Sequence, residues 1–171
     1  MTYPSDTLFD IETLVNVAQA EKILLLGNIS TDFLDNYCQQ KAILGQPCEI
    51  RQLTSSEIET LWEIQQRFDV AIAVDLFEHI DKPKGMQVLA RLRDVLSAQY
   101  CLCMPIATSN TSQSWQLTDL FSFALSKVAS YKIEATEYGL FKYNIRDYKK
   151  TPDWLNADNW ANPQMWGKYW W

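Results

Sequence analysis

The sequence predicts an α/β protein with a mostly parallel sheet covered by helices on both faces. Short, continuous apolar runs occur at 22–27, 69–74 and 100–104, and such runs are typical of strands buried on both sides. Segments with helical periodicity lie between these runs. This alternation indicates parallel strands joined by right-handed helical crossovers.

The first unit consists of a helix, a strand and a second helix. Apolar residues recur at helical spacing after Ser5 and Asp6, which can cap an opening amphipathic helix. The apolar run 22–27 is the first strand and ends in glycine. A second helix is predicted from about residue 30 to the turn at 45–47.

The second unit begins with a weaker strand at 48–53. Thr54 and Glu57 have the spacing of a capping box, so we expect a third helix that ends near Arg67. The strand 69–74 follows it.

The middle of the chain has the clearest pattern. An acidic turn runs from Asp75 to Asp81, and Pro83 suits the first turn of the next helix. Apolar residues then recur with helical spacing to Leu96. The strand 100–104 follows and ends before a proline.

The last part of the predicted domain differs from the parallel units. Residues 108–114 are polar and predict a loop, and 117–128 have the spacing of a long helix. The segments 131–137 and 140–147 alternate in polarity around Tyr138-Gly139. They predict an antiparallel hairpin with its turn at that dipeptide.

The C-terminal tail is rich in tryptophan. It carries five of the seven Trp of the chain, namely Trp154, Trp160, Trp166, Trp170 and Trp171. Rings so concentrated favour a buried position. Three interpretations remain open: a pocket for a planar or cationic ligand, a subunit interface that makes a homodimer, and a lid over the sheet edge or crevice, which we favour.

Composition limits the functional classes. A chain of 171 residues fits one domain with its own core. The net charge of −6 argues against nucleic acid as a partner. The four cysteines, at 38, 48, 101 and 103, lack zinc-site spacing, so we expect no metal, and we expect Cys101 and Cys103 to be reduced core residues. With no long apolar run or signal segment, we expect a cytoplasmic protein without membrane contact.

One segment resembles a known family. The stretch FDVAIAVDLFEHIDKPKGMQVLARLRDVL, followed by CLCMP, is similar to the fourth strand, acidic loop, helix and fifth strand of class I S-adenosylmethionine-dependent methyltransferases. Its most specific part is Asp75-x-x-Glu78-His79, and the agreement in element order covers roughly 22–147. The resemblance implies a three-layer Rossmann-like methyltransferase fold over residues 1–150, with about six strands, a C-terminal antiparallel hairpin, and the tail 151–171 packed on it.

The resemblance also implies where the cofactor would bind. Gly27 and Asn28 correspond to the loop after the family's first strand, and Asp75 follows the fourth. Leu76 and Glu78 are further candidates for contact with S-adenosylmethionine.

Two departures from the family pattern bear on function. The family's first loop carries several glycines, whereas this chain has Gly27-Asn28-Ile29-Ser30, with a β-branched residue in the loop. The acidic residue that usually holds the cofactor ribose is replaced by the segment 53–56, Leu-Thr-Ser-Ser. We therefore expect a methyltransferase-fold protein that has lost ordinary cofactor binding and acts as a binding or interaction module for a small molecule or protein. The alternative is an active S-adenosylmethionine-dependent methyltransferase that acts on a small molecule.

The residues of the acidic turn allow two interpretations each. Asp75 and Glu78 can bind a hydroxyl or cationic ligand, or Glu78 and Asp81 can complement the positive end of the next helix. His79, the single histidine, is a weak candidate for a general base. The other interpretation places its ring against the sheet edge, hydrogen-bonded to backbone.

Overall fold

The sheet and its helices follow the predicted alternation. The computed structural model describes residues 3, 5–106, 114–133, 136–148, 157–159, 162–165 and 168. Its strands are β1 (Lys22–Leu26), β2 (Glu49–Leu53), β3 (Phe68–Val74), β4 (Ser97–Pro105), β5 (Ser126–Ile133) and β6 (Thr136–Asn144). Its α-helices are α1 (Ser5–Ala18), α2 (Asp35–Ile43), α3 (Lys82–Arg91), α4 (Leu117–Ser122) and α5 (Ile145–Tyr148).

Shorter helical segments complete the chain. Three-residue 3-10 turns lie at Asp32–Leu34, Ala157–Asn159 and Pro163–Met165, and a longer 3-10 helix covers Ser55–Glu63. A π-helical turn, Leu92–Leu96, continues α3.

The six strands form one sheet in the order β2-β1-β3-β4-β6-β5. The first four are parallel, whereas β6 runs antiparallel to β4 and β5 antiparallel to β6. One strand, β2, lies between β1 and β3 in sequence, and it corresponds to the weaker strand predicted at 48–53. The carboxyl ends of β1 to β4 therefore meet at one edge, where ligands bind in open α/β sheets.

Helices cover both faces of the sheet because the central strands are apolar on both sides. Four of the five residues of β1 are buried, as are six of the seven of β3. On one face these strands pack with Ile11 and Val15 of α1 and Tyr37 of α2. On the other face they pack with α3, the 3-10 helix and Trp115. The three-layer α/β prediction is confirmed.

The third predicted helix is a 3-10 helix and ends early. Its capping box is present, since Thr54 and Glu57 exchange side-chain and backbone hydrogen bonds. These bonds lower the pKa of Glu57. The helix ends at Glu63 rather than near Arg67, because Ile64 is already extended.

The predicted long helix at 117–128 is wrong. Helix α4 ends at Ser122, Ala124 takes a left-handed φ of 61°, and β5 begins at Ser126. Val128 therefore lies on a strand, where it is 42% exposed. Pairing with β6 supplies backbone hydrogen bonds to a segment that helical periodicity alone assigned to a helix.

The hairpin is present, but its predicted turn is wrong. Tyr138 and Gly139 lie inside β6, and the strands meet where Ile133 pairs with Thr136. Position 139 is crowded, since a Cβ there would lie 2.4 Å from Cε2 of Phe141. The glycine marks a crowded strand position rather than a bend.

The cysteines of β4 lie in the core, as expected. Cys101 and Cys103 are buried free thiols, and burial raises the pKa of each to about 12. None of the helices within the described ranges is long and apolar enough to cross a bilayer.

Candidate functional site at the carboxyl edge of the sheet

Gly27 lies at the centre of this edge, where β1 approaches the end of β3. It has a φ of 126°, and a Cβ at this position would lie 1.7 Å from the carbonyl oxygen of Val74. Its N–H donates to the carbonyl of Leu53 at 2.9 Å. The backbone of the β1 loop therefore lies directly against the end of β3, and only glycine fits there.

Asn28 and Ser55 connect the loops that follow β1 and β2. The Asn28 Nδ2 donates to Ser55 Oγ at 3.0 Å, and Asn28 Oδ1 accepts from the Ser55 N–H at 3.0 Å. The Asn28 backbone N–H donates to the carbonyl of Asp75 at 3.3 Å. Asn28 thus lies at the edge, as predicted, but its side chain is engaged by the protein itself.

Gln52, on β2, forms hydrogen bonds with the backbone of the loop that follows β1. Its side-chain amide donates to the carbonyl of Ile29 at 2.7 Å and to that of Gly27 at 3.3 Å. Together with Ser55, Gln52 holds the loop at its β2 side.

Asp75 is a strained and buried residue at the end of β3. It is 5% exposed and has a left-handed φ of 54°, which a non-glycine residue seldom adopts. Its Oδ1 lies 3.2 Å from Nε2 of His79. Strained backbone of this kind concentrates at functional sites, and its position matches the one that the resemblance assigned.

Glu78 faces Tyr3, a residue that the sequence reasoning missed. The Tyr3 hydroxyl donates to Glu78 Oε1 at 2.6 Å and accepts from the Asp75 N–H at 3.3 Å. Its ring is 5% exposed and packs edge-on against Tyr138, with centroids 5.6 Å apart. Tyr3 therefore fills the β3 and β6 side of this edge.

The environment of Glu78 disfavours the ionised form of its carboxyl. Burial raises the pKa of the Glu78 carboxyl, against the opposing effect of the Tyr3 hydrogen bond. The Oε2 atom is buried and finds no hydrogen-bond partner among the described residues. The same burial and the nearby carboxylate raise the pKa of Tyr3, so its hydroxyl remains a donor.

The remaining candidates have different positions. Leu76 is fully buried and belongs to the core with Phe77 and Trp115. The His79 side chain is 44% exposed and contacts the Asp75 carboxylate, so the expectation of a backbone-bonded ring against the sheet is wrong. Asp81 caps α3 by accepting from the Lys84 N–H at 3.0 Å, whereas Glu78 binds Tyr3 instead.

Clefts lined by described residues also occur away from Asp75. One of about 380 Å³ lies between α1 and α2, and one of about 370 Å³ lies beside Trp62 and Arg91. A smaller one of about 90 Å³ lies at the opposite edge, near Gln99 and Asn144. Within the described part of the chain no group of three or more His, Cys, Asp or Glu side chains is arranged to hold a metal ion.

The tryptophans of the C-terminal tail are not among the residues that the structure describes near this site. Trp154, Trp160, Trp166, Trp170 and Trp171 lie outside the described residues, so the lid, pocket and interface interpretations stay predictions.

A family model described as a family of unknown function, DUF6231, matches residues 5–171. The chain belongs to this family. A comparison with curated proteins finds no match.

Solved structures are similar in fold at low identity. TehB from Haemophilus influenzae has a TM-score of 0.51 at 6% identity, over 83% of this chain and 62% of TehB. Magnesium protoporphyrin IX methyltransferase (ChlM) from Synechocystis PCC 6803, with bound SAH, has a TM-score of 0.49 at 10% identity, over 80% of this chain and 81% of that one. An O-methyltransferase from Bacillus cereus, in complex with SAH, also has a TM-score of 0.49. Its identity is 11%, over 82% of this chain and 81% of that one. The chain has a class I methyltransferase-like fold, as the resemblance implied.

Proposed function

We propose that this chain is a methyltransferase-fold protein that has lost ordinary S-adenosylmethionine binding and serves as a binding or interaction module. The observation that carries the proposal is the position of Tyr3. Its buried phenol donates to Glu78 and accepts from the backbone of Asp75, two residues assigned to the cofactor by resemblance. A ligand at these groups would have to displace the ring and replace both hydrogen bonds.

The β1 and β2 side of the edge supports the same proposal. Both the nitrogen and the oxygen of the Asn28 side-chain amide form hydrogen bonds with Ser55, and Gln52 donates to two carbonyls of the loop. Ser55 follows the end of β2, in the segment where the family usually places a ribose-binding carboxylate. A hydroxyl offers a weaker, uncharged acceptor for ribose hydroxyls than a carboxylate does.

Ligand binding tests the proposal directly. We expect millimolar S-adenosylmethionine or its demethylated product to leave the thermal midpoint unchanged and to give no saturable heat in titration calorimetry. A ligand that binds only the native state at a hundredfold excess over Kd adds about 2.7 kcal/mol, which raises the midpoint by roughly 5–11 °C for a domain of this size. Such a shift would contradict the proposal.

Two carboxylates near opposite ends of β3 provide a matched pair of variants. Asp75 directly follows β3 at the candidate site, whereas Asp69 lies near the start of β3 and accepts from the N–H groups of Glu21 and Lys22. If binding is detected, loss of the shift in Asp75→Ala but not in Asp69→Ala would place the ligand at the carboxyl edge.

The second candidate function is an active methyltransferase for a small molecule. It is favoured by the clustering of Asp75, Glu78 and His79 at the edge where ligands bind in such sheets. His79 would then be the candidate general base, because its ring contacts the Asp75 carboxylate and remains partly open to solvent. A cofactor-dependent shift that Asp75→Ala abolishes is required by this function and contradicts the first.

A further inference from the structure

Two thiols face each other at the outer edge of the sheet. Cys38 lies on α2, Cys48 lies just before β2, and their Sγ atoms are 2.6 Å apart. A disulfide bond is about 2.05 Å long, so the sulfurs need to approach by only about 0.5 Å to be joined. Both residues are partly buried and pack against the core that contains Tyr37.

We propose that Cys38 and Cys48 form a reversible intramolecular disulfide that ties helix α2 to strand β2. The two cysteines come from different elements, and Cys48 precedes the amino end of β2, so the bond does not depend on what the carboxyl edge binds.

The chemistry is an exchange with a small-molecule disulfide. One cysteine thiolate attacks the small disulfide, which forms a mixed disulfide and releases one small thiolate. The second cysteine, as thiolate, attacks the protein sulfur of that mixed disulfide and releases the second small thiolate. Two protein thiols are oxidised, one small disulfide is reduced to two thiols, and the two protons from the cysteines end on those thiols.

The position of the pair gives the bond a structural effect. Strand β2 is an edge strand that pairs with β1, and the cysteines are ten positions apart in sequence. A disulfide here closes a short loop that includes Gly45, and it holds the edge strand that carries Gln52. Loop closure lowers the entropy of the unfolded chain, so the oxidised protein should be more stable.

Cys101 and Cys103 provide an internal comparison. Both are buried in the core on β4, so small-molecule disulfides have poor access to them. Burial and the hydrogen bond with Cys48 raise the pKa of Cys38 to about 12, which makes exchange slow at neutral pH. The reaction therefore calls for mild alkali and long incubation.

The experiment uses the full chain and oxidised glutathione at pH 8.5. After incubation the protein is denatured, its free thiols are alkylated, and intact mass and peptide mapping locate the linkage. We expect two alkylated cysteines, at 101 and 103, and a peptide cross-linked between 38 and 48. Oxidation should raise the thermal midpoint by roughly 5–10 °C, and a reductant should reverse the rise.

The double variant Cys38→Ser/Cys48→Ser provides the control. It should fold with the circular dichroism spectrum of the reduced protein and should not respond to oxidised glutathione. Four alkylated cysteines, glutathione adducts without a 38–48 cross-link, or disulfide-linked dimers would each overturn the proposal. A 38–48 cross-link without any rise of the midpoint would overturn its stabilising role.

Discussion

Removing the hydroxyl of Tyr3 is the sharpest test of how the carboxyl edge is closed. Tyr3→Phe keeps the ring and its edge-on contact with Tyr138 but removes the donor to Glu78 Oε1 and the acceptor for the Asp75 N–H. The carboxyl then loses its side-chain donor, and its Oε2 already finds no partner among the described residues. The variant should therefore lose stability although its apolar packing is unchanged.

The size of the loss follows from the type of hydrogen bond. A hydrogen bond to a charged group contributes about 1.5–3 kcal/mol, and a buried acceptor left unsatisfied costs about as much. We expect Tyr3→Phe to lower the free energy of unfolding by about 2–3 kcal/mol. For a domain of this size that corresponds to a fall in thermal midpoint of roughly 4–12 °C.

The assay is urea unfolding followed by far-ultraviolet circular dichroism, with the change taken from the midpoint at constant m-value. Tyr131→Phe is a matched control, because the Tyr131 hydroxyl also donates to a carboxylate, that of Asp10, but at a partly buried surface position. We expect it to cost less than about 1 kcal/mol, since solvent can replace the lost bond. In a Glu78→Gln background Tyr3→Phe should cost less than in the unmodified chain, because no hydrogen bond of the hydroxyl then involves a charged group.

A loss in Tyr3→Phe as small as the one expected for Tyr131→Phe would refute this explanation. It would mean that the Tyr3 hydroxyl is solvated in solution and does not close the edge.

Three other predictions concern the same domain. Gly27→Ala should abolish folding or lower the free energy of unfolding in urea by several kcal/mol, because its Cβ would overlap the Val74 carbonyl. Gly45→Ala should lower it by only about 1–2 kcal/mol, because the space around this residue is open and only its φ of 68° disfavours alanine. Glu78→Gln should stabilise the protein near pH 7 and lose this advantage below pH 4.5, as measured by thermal midpoints across pH. Deleting 152–171 should cause loss of solubility or of cooperative unfolding, since five tryptophans favour a buried tail.

The sign of the pH prediction follows from proton binding. With its pKa raised in the folded state, Glu78 keeps its proton on folding at a pH where the unfolded chain has released it, so stability falls as pH rises above the unfolded value near 4.5. Glutamine does not titrate and avoids this loss. A pH-independent effect of Glu78→Gln would contradict the assignment. Equal losses in the two glycine variants would contradict the close approach of β1 to β3, and a stable, monomeric truncation would contradict both the lid and the interface.

Much of the fold was predictable because local pattern and tertiary role agree. The runs at 22–27, 69–74 and 100–104 are apolar apart from Lys22 and Asp69, and such runs are typical of strands buried between two helical layers. The amphipathic segments between these runs have one apolar face each, so they were expected to lie as helices in the layers that cover the sheet. The family resemblance rested on the same stretch, where Asp75 follows β3 as expected.

Prediction failed where long-range pairing competes with local periodicity. Residues 117–128 have helical spacing, yet β6 pairs with 126–133 and draws that part into the sheet. Gly139 resembled a turn residue, but it lies in β6, where it pairs with Met104 of β4 and Ser130 of β5. Both errors arise because strand pairing, which local periodicity does not encode, decides the structure of these segments.

The sequence by itself determined the layered α/β architecture, because hydrophobic periodicity and the succession of helices and strands along the chain are local properties. The family resemblance that the sequence carries also indicated that Gly27, Asn28 and Asp75 follow the ends of two strands. Only the tertiary structure decided how that edge is filled. Tyr3 meets Glu78 across 75 positions, and Asn28 meets Ser55 across 27. No local pattern encodes such contacts, since they depend on where folding brings the N-terminal segment and the β2 loop in space.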